Sequence, residues 1–195
     1  MAAKDKNGKD LKVAVGVLWD PYRWVLNSTE RVGISKSNST PIAEILRGLP
    51  QGETRPIIAV GTASHENADD RPEVEEARAE VRADTLVDLC QRQYPNADIY
   101  SLNLGFFRKK GADSDSSATE RRVILLVIES WEAGADLTSG VRDALIKAAA
   151  EQRFSFDASN YSNFPPERFR VVERRAKKEK SIEKEPRAEQ RPQAG

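Results

Sequence analysis

The stretch between residues 73 and 93 constrains the fold more than any other part of the chain. Its apolar side chains recur at intervals of three and four residues, which places them on one face of a helix. They are Ala79, Ala83, Leu86, Val87, Cys90 and Tyr94. Pro72 precedes this stretch and Pro95 ends it, as proline commonly does at helix boundaries. The chain is therefore expected to contain one long helix that packs on a sheet or on other helices.

A second apolar group on the same helix lies away from the first. It consists of Val74, Ala77, Val81 and Leu89. A helix with two apolar sides needs two packing partners if both sides are to leave water. The pattern predicts that the helix is covered on another side as well.

Short apolar runs on both sides of the long helix predict the strands of a sheet. Residues 56–61 form a continuous apolar run, typical of a strand buried on both faces, and residues 98–104 alternate as a strand does. The β-branched run 123–128 is expected to be the central strand. An alternating segment, an Asp20-Pro21 turn and a return segment predict an N-terminal β-hairpin over residues 13–26. Thr40-Pro41 is typical of a helix start, which predicts a short helix over residues 42–49.

This order of elements predicts an α/β (α+β) two-layer sandwich with a mixed β-sheet and helices on one face. The 195 residues are 38% hydrophobic and 32% charged, as expected for one core with polar extensions. We therefore divide the chain into a disordered N-terminus (1–10), an α/β domain with an N-terminal hairpin (11–130), a C-terminal helix and aromatic-rich arm (131–170), and a disordered charged tail (171–195). The helix of the third part is expected at residues 138–152. The aromatic residues between 154 and 169 either pack on the domain, which we favour, or dock a partner.

Composition narrows the classes of function. Cys90 is the single cysteine, so no disulfide forms within the chain, and one His with one Cys cannot make a zinc site. No glycine-rich phosphate-binding motif is present, and no cofactor is expected.

The formal net charge is +0, so nucleic acid is not an expected partner. The alternative is a local basic rim formed by Arg108-Lys109-Lys110 and Arg121-Arg122. The longest apolar runs are too short to span a bilayer and no signal-like segment opens the chain, which predicts a cytoplasmic protein without a membrane segment.

Three short motifs give the chain a resemblance to a known family. They are Ile57-Ile58-Ala59-Val60-Gly61, Arg78-Ala79 with Leu86 downstream, and Arg121-Arg122-Val123. In this order and spacing, residues 40–128 resemble the OmpA-like domain, the peptidoglycan-associating module of outer-membrane protein A and of flagellar stator proteins. The resemblance implies a β-α-β-α-β-β fold, and a site in which an Asp after the strand and the helix Arg grip a peptidoglycan diamino acid. Ser64 stands at the position of that Asp, and a hydroxyl cannot pair with an ammonium as a carboxylate does. Peptidoglycan is therefore not an expected ligand.

The candidate site combines Ser64 with four arginines. Arg78 and Arg82 are four residues apart on the helix and are expected to share one face. Together with Ser64, Arg121 and Arg122, they are expected to bind a carboxylate or a phosphate. The alternative is that the helix arginines form ordinary ion pairs with Glu75, Glu76 or Asp69.

These observations predict a non-enzymatic binding or interaction module of a bacterial multi-protein system, with a protein partner and an anionic ligand held by Arg78 and Arg82. The competing interpretation is a hydrolase that uses the Ser64-His65-Glu66 loop, because strand ends often carry catalytic side chains. Adjacent residues of an extended segment point apart, so this triplet is not a catalytic triad by geometry.

Overall fold

The structure is a computed structural model that describes residues 1–16, 23–33, 37–65, 71–108, 120–151 and 157–174. The described residues form eight β-strands and three α-helices. In chain order these are β1 (Ala2–Lys4), β2 (Asp10–Gly16), β3 (Arg31–Gly33), β4 (Ser39–Pro41), α1 (Ile42–Arg47), β5 (Ile57–Ala63), α2 (Pro72–Gln93), β6 (Ile99–Phe106), β7 (Ile124–Trp131), α3 (Leu137–Ala150) and β8 (Val171–Glu173). A short 3₁₀ helix, Ala158–Asn160, lies between α3 and β8.

Six of the strands form one mixed sheet in the order β1-β2-β7-β5-β6-β8, and β3 pairs with β4 separately. Strands β5 and β6 are parallel, because α2 carries the chain back between them, and every other neighbouring pair in the sheet is antiparallel. Strand β5 lies between β7 and β6 and is buried along its whole length. The prediction of a strand buried on both faces is confirmed.

The side chains of β5 alternate between two cores. Ile57 and Ala59 pack with α1 and α2 on one face of the sheet, whereas Ile58 and Val60 pack with α3 on the other. The predicted α+β class is confirmed, with a mixed sheet and the two helices of the predicted domain on one face. Helix α3, which the sequence places in the C-terminal part, adds a further layer on the opposite face.

Helix α2 spans 22 residues, one more than predicted, and all six residues of its predicted apolar face are buried. It lies unusually close to β5 at Gly61. A Cβ on Gly61 would come within 1.9 Å of the carbonyl oxygen of Ala79. The second apolar group behaves differently, since Val74 and Val81 are 37% and 47% exposed. Ala77 is exposed as well, so the prediction that this side is covered is wrong for three of the four residues in the single chain.

The N-terminal residues form a strand that the sequence pattern does not predict. Residues 1–10 are not disordered as predicted, since β1 pairs with β2 to form a hairpin at the edge of the sheet. Asp5 shapes the connection by accepting N–H groups from Asn7, Lys9 and Asp136, and these hydrogen bonds lower the pKa of its carboxyl group.

The predicted hairpin over residues 13–26 is wrong. Strand β2 pairs with β1 and β7, whereas Arg23 and Trp24 make isolated bridges to Arg122 and Val32. The predicted turn, Asp20-Pro21, lies outside the described residues. The physical reason is that β2 pairs with β7 on the side away from β5, where Leu11 and Val13 are buried in the core.

The aromatic arm packs on the domain, as favoured. Tyr161, Phe164 and Phe169 are buried in the same core as α3, whereas Phe154 and Phe156 lie outside the described residues. The predicted disordered tail is wrong for residues 171–173, which form β8 against β6. Residues 175–195 lie outside the described part of the chain. Across the part that is described, none of the helices is long and apolar enough to cross a membrane.

Candidate functional site

The predicted site residues meet at one end of the sheet. Ser64 follows the end of β5, and Arg121 and Arg122 precede the start of β7. Because β5 and β7 are antiparallel, the end of one lies beside the start of the other. The first half of α2 crosses over the same end and carries Arg78 and Arg82.

Arg82 is fully buried and holds three backbone carbonyl groups. Its Nε donates to the carbonyl of Ser28 at 2.9 Å, its Nη1 to that of Thr62 at 2.8 Å and its Nη2 to that of Val25 at 3.3 Å. The guanidinium carbon also lies 5.5 Å from the ring centroid of Trp24. A guanidinium carries donors on several sides and can satisfy separate acceptors at once. Arg82 therefore connects α2 to β5 and to the segment before β3.

Arg121, Arg122 and Ser64 are also buried, with exposed fractions of 4%, 5% and 1%. Arg121 donates from Nε to the carbonyl of Trp24 at 3.0 Å and from Nη1 to the Ser64 hydroxyl at 3.4 Å. The hydroxyl of Thr62 donates to the carbonyl of Arg122 at 2.9 Å. Arg121-Arg122 is therefore not part of an exposed basic rim, which removes one support for nucleic-acid binding. Lys109 and Lys110 lie outside the described residues.

Arg78 has a different position from Arg82. Its Nη1 contacts the carboxylate of Glu75, as one alternative predicted, and the side chain reaches the surface with 16% exposed. Glu76 pairs instead with Arg168 of the C-terminal arm at 2.7 Å. Within the described residues, the Nε and Nη2 groups of Arg78 make no hydrogen bond. Arg78 is therefore the member of the predicted pair that can meet a ligand from outside.

Sequence reasoning missed the surface around Arg78. Val74 and Val81 are seven residues apart on α2, close to two full helical turns, and Arg78 stands between them on the same side. The sequence pattern indicates this surface, since both valines belong to the second apolar group of the helix. A covered side was expected, yet in the single chain both valines face outward.

The hydrolase loop gains little support from its geometry. The Ser64 hydroxyl is buried and accepts a hydrogen bond from Arg121. The ring of His65 packs edge-on against Phe106 at 5.1 Å, and Glu66 lies outside the described residues. Cys90 is buried in the core, and burial raises the pKa of its thiol to about 12, which disfavours a nucleophilic thiolate. In the described segments, no group of three or more His, Cys, Asp or Glu side chains could hold a metal ion.

Comparison with protein-family models, with curated proteins and with solved structures gives no match to this chain. The OmpA-like resemblance of residues 40–128 therefore stays a prediction.

Proposed function

We propose that this protein is a non-enzymatic interaction module of a bacterial multi-protein system, acting in the cytoplasm. It contacts a protein partner through the outer face of α2, and Arg78 binds an anionic group of that partner, a carboxylate or a phosphate. The observation that carries the proposal is the exposure of Val74 and Val81 on either side of Arg78, at 37% and 47%.

Two exposed apolar side chains flank Arg78, and arginine is a residue type enriched at protein interfaces. Single exposed apolar residues are ordinary, but Val74 and Val81 lie about 10 Å apart on one helix face. Burying the two valines would remove apolar surface from water, and the arginine between them supplies direction and specificity.

Glu75 positions Arg78 for this role. Its carboxylate is 3% exposed and engages one side of the guanidinium. The guanidinium of Arg78 is planar with N–H donors along two sides, so the N–H groups that Glu75 does not engage can bind a second anion in a bidentate manner. Arg82 stabilises the same part of α2, since its three hydrogen bonds to carbonyl groups connect the helix to β5 and to the segment before β3.

Two features favour binding over hydrolysis. A buried Ser64 cannot approach a substrate without rearrangement, and its hydroxyl is already hydrogen-bonded by Arg121.

Cross-linking in cells that naturally express the protein, followed by affinity capture, tests the proposal. Val81→Glu places a charge on the interacting face without touching the core. Ile146→Glu is the matched control, because Ile146 is 43% exposed on α3 at the opposite face of the sheet. We expect the wild type and Ile146→Glu to capture the same proteins and Val81→Glu to lose them. Equal capture by all three would contradict a role for this face.

A further inference from the structure

We infer that the outer face of α2 binds the same face of a second copy of this chain, with the two helices antiparallel. The inference rests on the proposed function and names the partner of that surface. It follows from the spacing and the charges of six residues, which we call the α2 seam. They are Val74, Arg78, Val81, Thr85, Asp88 and Arg92.

The α2 seam has the spacing of a helix-pairing surface. Its members are separated by four, three, four, three and four residues, the alternation that keeps side chains facing a second helix over several turns. The seam lies away from the buried face of α2, and it runs from Val74 to Arg92 along most of the 22-residue helix. Val74, Val81, Asp88 and Arg92 are exposed, and Arg78 and Thr85 are half-buried.

The charges of the seam select the antiparallel orientation. In a parallel pair each residue meets its own copy, so Arg78, Asp88 and Arg92 would each face a like charge. In an antiparallel pair centred between Val81 and Thr85, Arg78 meets Asp88 of the partner subunit, and the contact occurs twice by symmetry. Val81 then meets Thr85 of the partner subunit, and Val74 packs on the stem of Arg92 of the partner subunit.

These charges are available for the contact. Among the described residues, the carboxylate of Asp88 makes no ion pair, and Arg92 donates from Nε only to the carbonyl of Asp88 one turn earlier, at 3.1 Å. Arg78 keeps its Nε and Nη2 groups free of described partners while Glu75 holds Nη1. Pairing the copies therefore requires no ion pair of the described fold to break.

The size of the contact sets the expected strength. A helix of 22 residues is about 33 Å long, and one helix pair buries less than the roughly 1,200 Å² typical of stable complexes. We therefore expect a weak dimer, with a dissociation constant in the micromolar range or above.

Sedimentation velocity of the full chain between about 1 and 300 µM tests the inference. The wild type should rise with concentration from the 21.7 kDa monomer towards the dimer. Arg78→Glu and Asp88→Arg should each weaken the dimer by about tenfold or more, and the double variant should restore it, because the charges are exchanged rather than lost. Circular dichroism checks that each variant is folded. A wild type that stays monomeric throughout, or a double variant no better than the single ones, would overturn the inference.

A disulfide cross-link provides a test that does not depend on Arg78. Mixed Val81→Cys and Thr85→Cys proteins should cross-link under mild oxidation, whereas Val172→Cys, which is 46% exposed on β8, should not. Cross-linking of Val172→Cys as fast as the mixed pair would refute the proposed register. If the wild type is monomeric but Val81→Glu still loses captured proteins, the second-copy inference fails and the proposed function stands.

Discussion

Gly61→Ala tests the close approach of α2 to the sheet. The added Cβ would lie 1.9 Å from the carbonyl oxygen of Ala79 and 2.9 Å from the Cβ of Ala83, whereas ordinary contacts begin near 3.4 Å. The backbones of α2 and β5 must then separate by about 1.5 Å at this point. A flexible side chain cannot absorb the shift, because the nearest atom is part of the helix backbone.

The cost follows from what the separation opens. Ala79, Ala83 and Leu86 are essentially unexposed, and a gap of about 0.5–1 Å already forfeits a quarter to a half of the dispersion energy of a contact. The gain from the extra methyl group, about 0.8 kcal/mol, does not offset this. We expect Gly61→Ala to lower the free energy of unfolding by about 3 kcal/mol, the upper end of overpacking effects. For a chain of this length that corresponds to a fall of roughly 6–12 °C in Tm.

Urea unfolding followed by circular dichroism measures the effect. The matched control is Gly48→Ala, because Gly48 has φ −77° and ψ −10°, which alanine adopts, and an added Cβ would come no closer than 3.3 Å to its nearest neighbour, the carbonyl oxygen of Ile45. That control should change the free energy of unfolding by less than about 0.5 kcal/mol. A loss at Gly61 no larger than in the control would refute the packing argument.

Three further predictions concern the described side chains. Arg82→Met removes the donor from two buried carbonyl groups and one partly buried carbonyl group and should cost about 4 kcal/mol in urea unfolding, and a cost below about 1 kcal/mol would contradict a structural role. Arg55 holds the pKa of Glu53 at about 2, below its usual 4.5, so this pair stabilises the fold above about pH 4.5 and the stabilisation is lost as the pH falls towards 2. The difference in stability between wild type and Glu53→Gln should therefore be under about 1 kcal/mol at neutral pH and shrink with acidification, and a difference that grows in acid would reverse the sign of the argument. Cys90 should resist a thiol reagent until the protein unfolds, since burial raises its pKa to about 12, and rapid labelling of the native protein would contradict its burial.

The periodic elements could be predicted from the sequence because their signals are local. The apolar spacing along α2 and the uniform apolar run of β5 each arise within a single stretch of chain, and both are confirmed. Strand pairing is not local in this way. The alternation of β2 predicts a strand correctly but does not identify its partner, because β7 lies far along the chain.

The sequence indicates which residues belong to the candidate site but not how they come together. Ser64 and Arg121-Arg122 lie side by side because β5 pairs antiparallel with β7. The spacing of Arg78 and Arg82 does not predict that Arg82 is buried and that Arg78 reaches the surface, since both positions border the buried face of α2. The carbonyl groups that hold Arg82 come from Val25, Ser28 and Thr62, and only the folded chain brings these residues together.

The position of β2 between β1 and β7 has a consequence for synthesis of the protein. The hairpin of β1 and β2 leaves the ribosome before its neighbour β7, because residues 17–123 lie between them in the chain. At about 5–20 residues per second the hairpin waits on the order of ten seconds for β7, and longer for α3. During that wait, the side chains of Leu11 and Val13 have no core to enter, since their packing partners lie in β7 and α3. The nascent chain is thus most vulnerable to aggregation before β7 and α3 are made, and fragments that end before residue 131 should remain in that state.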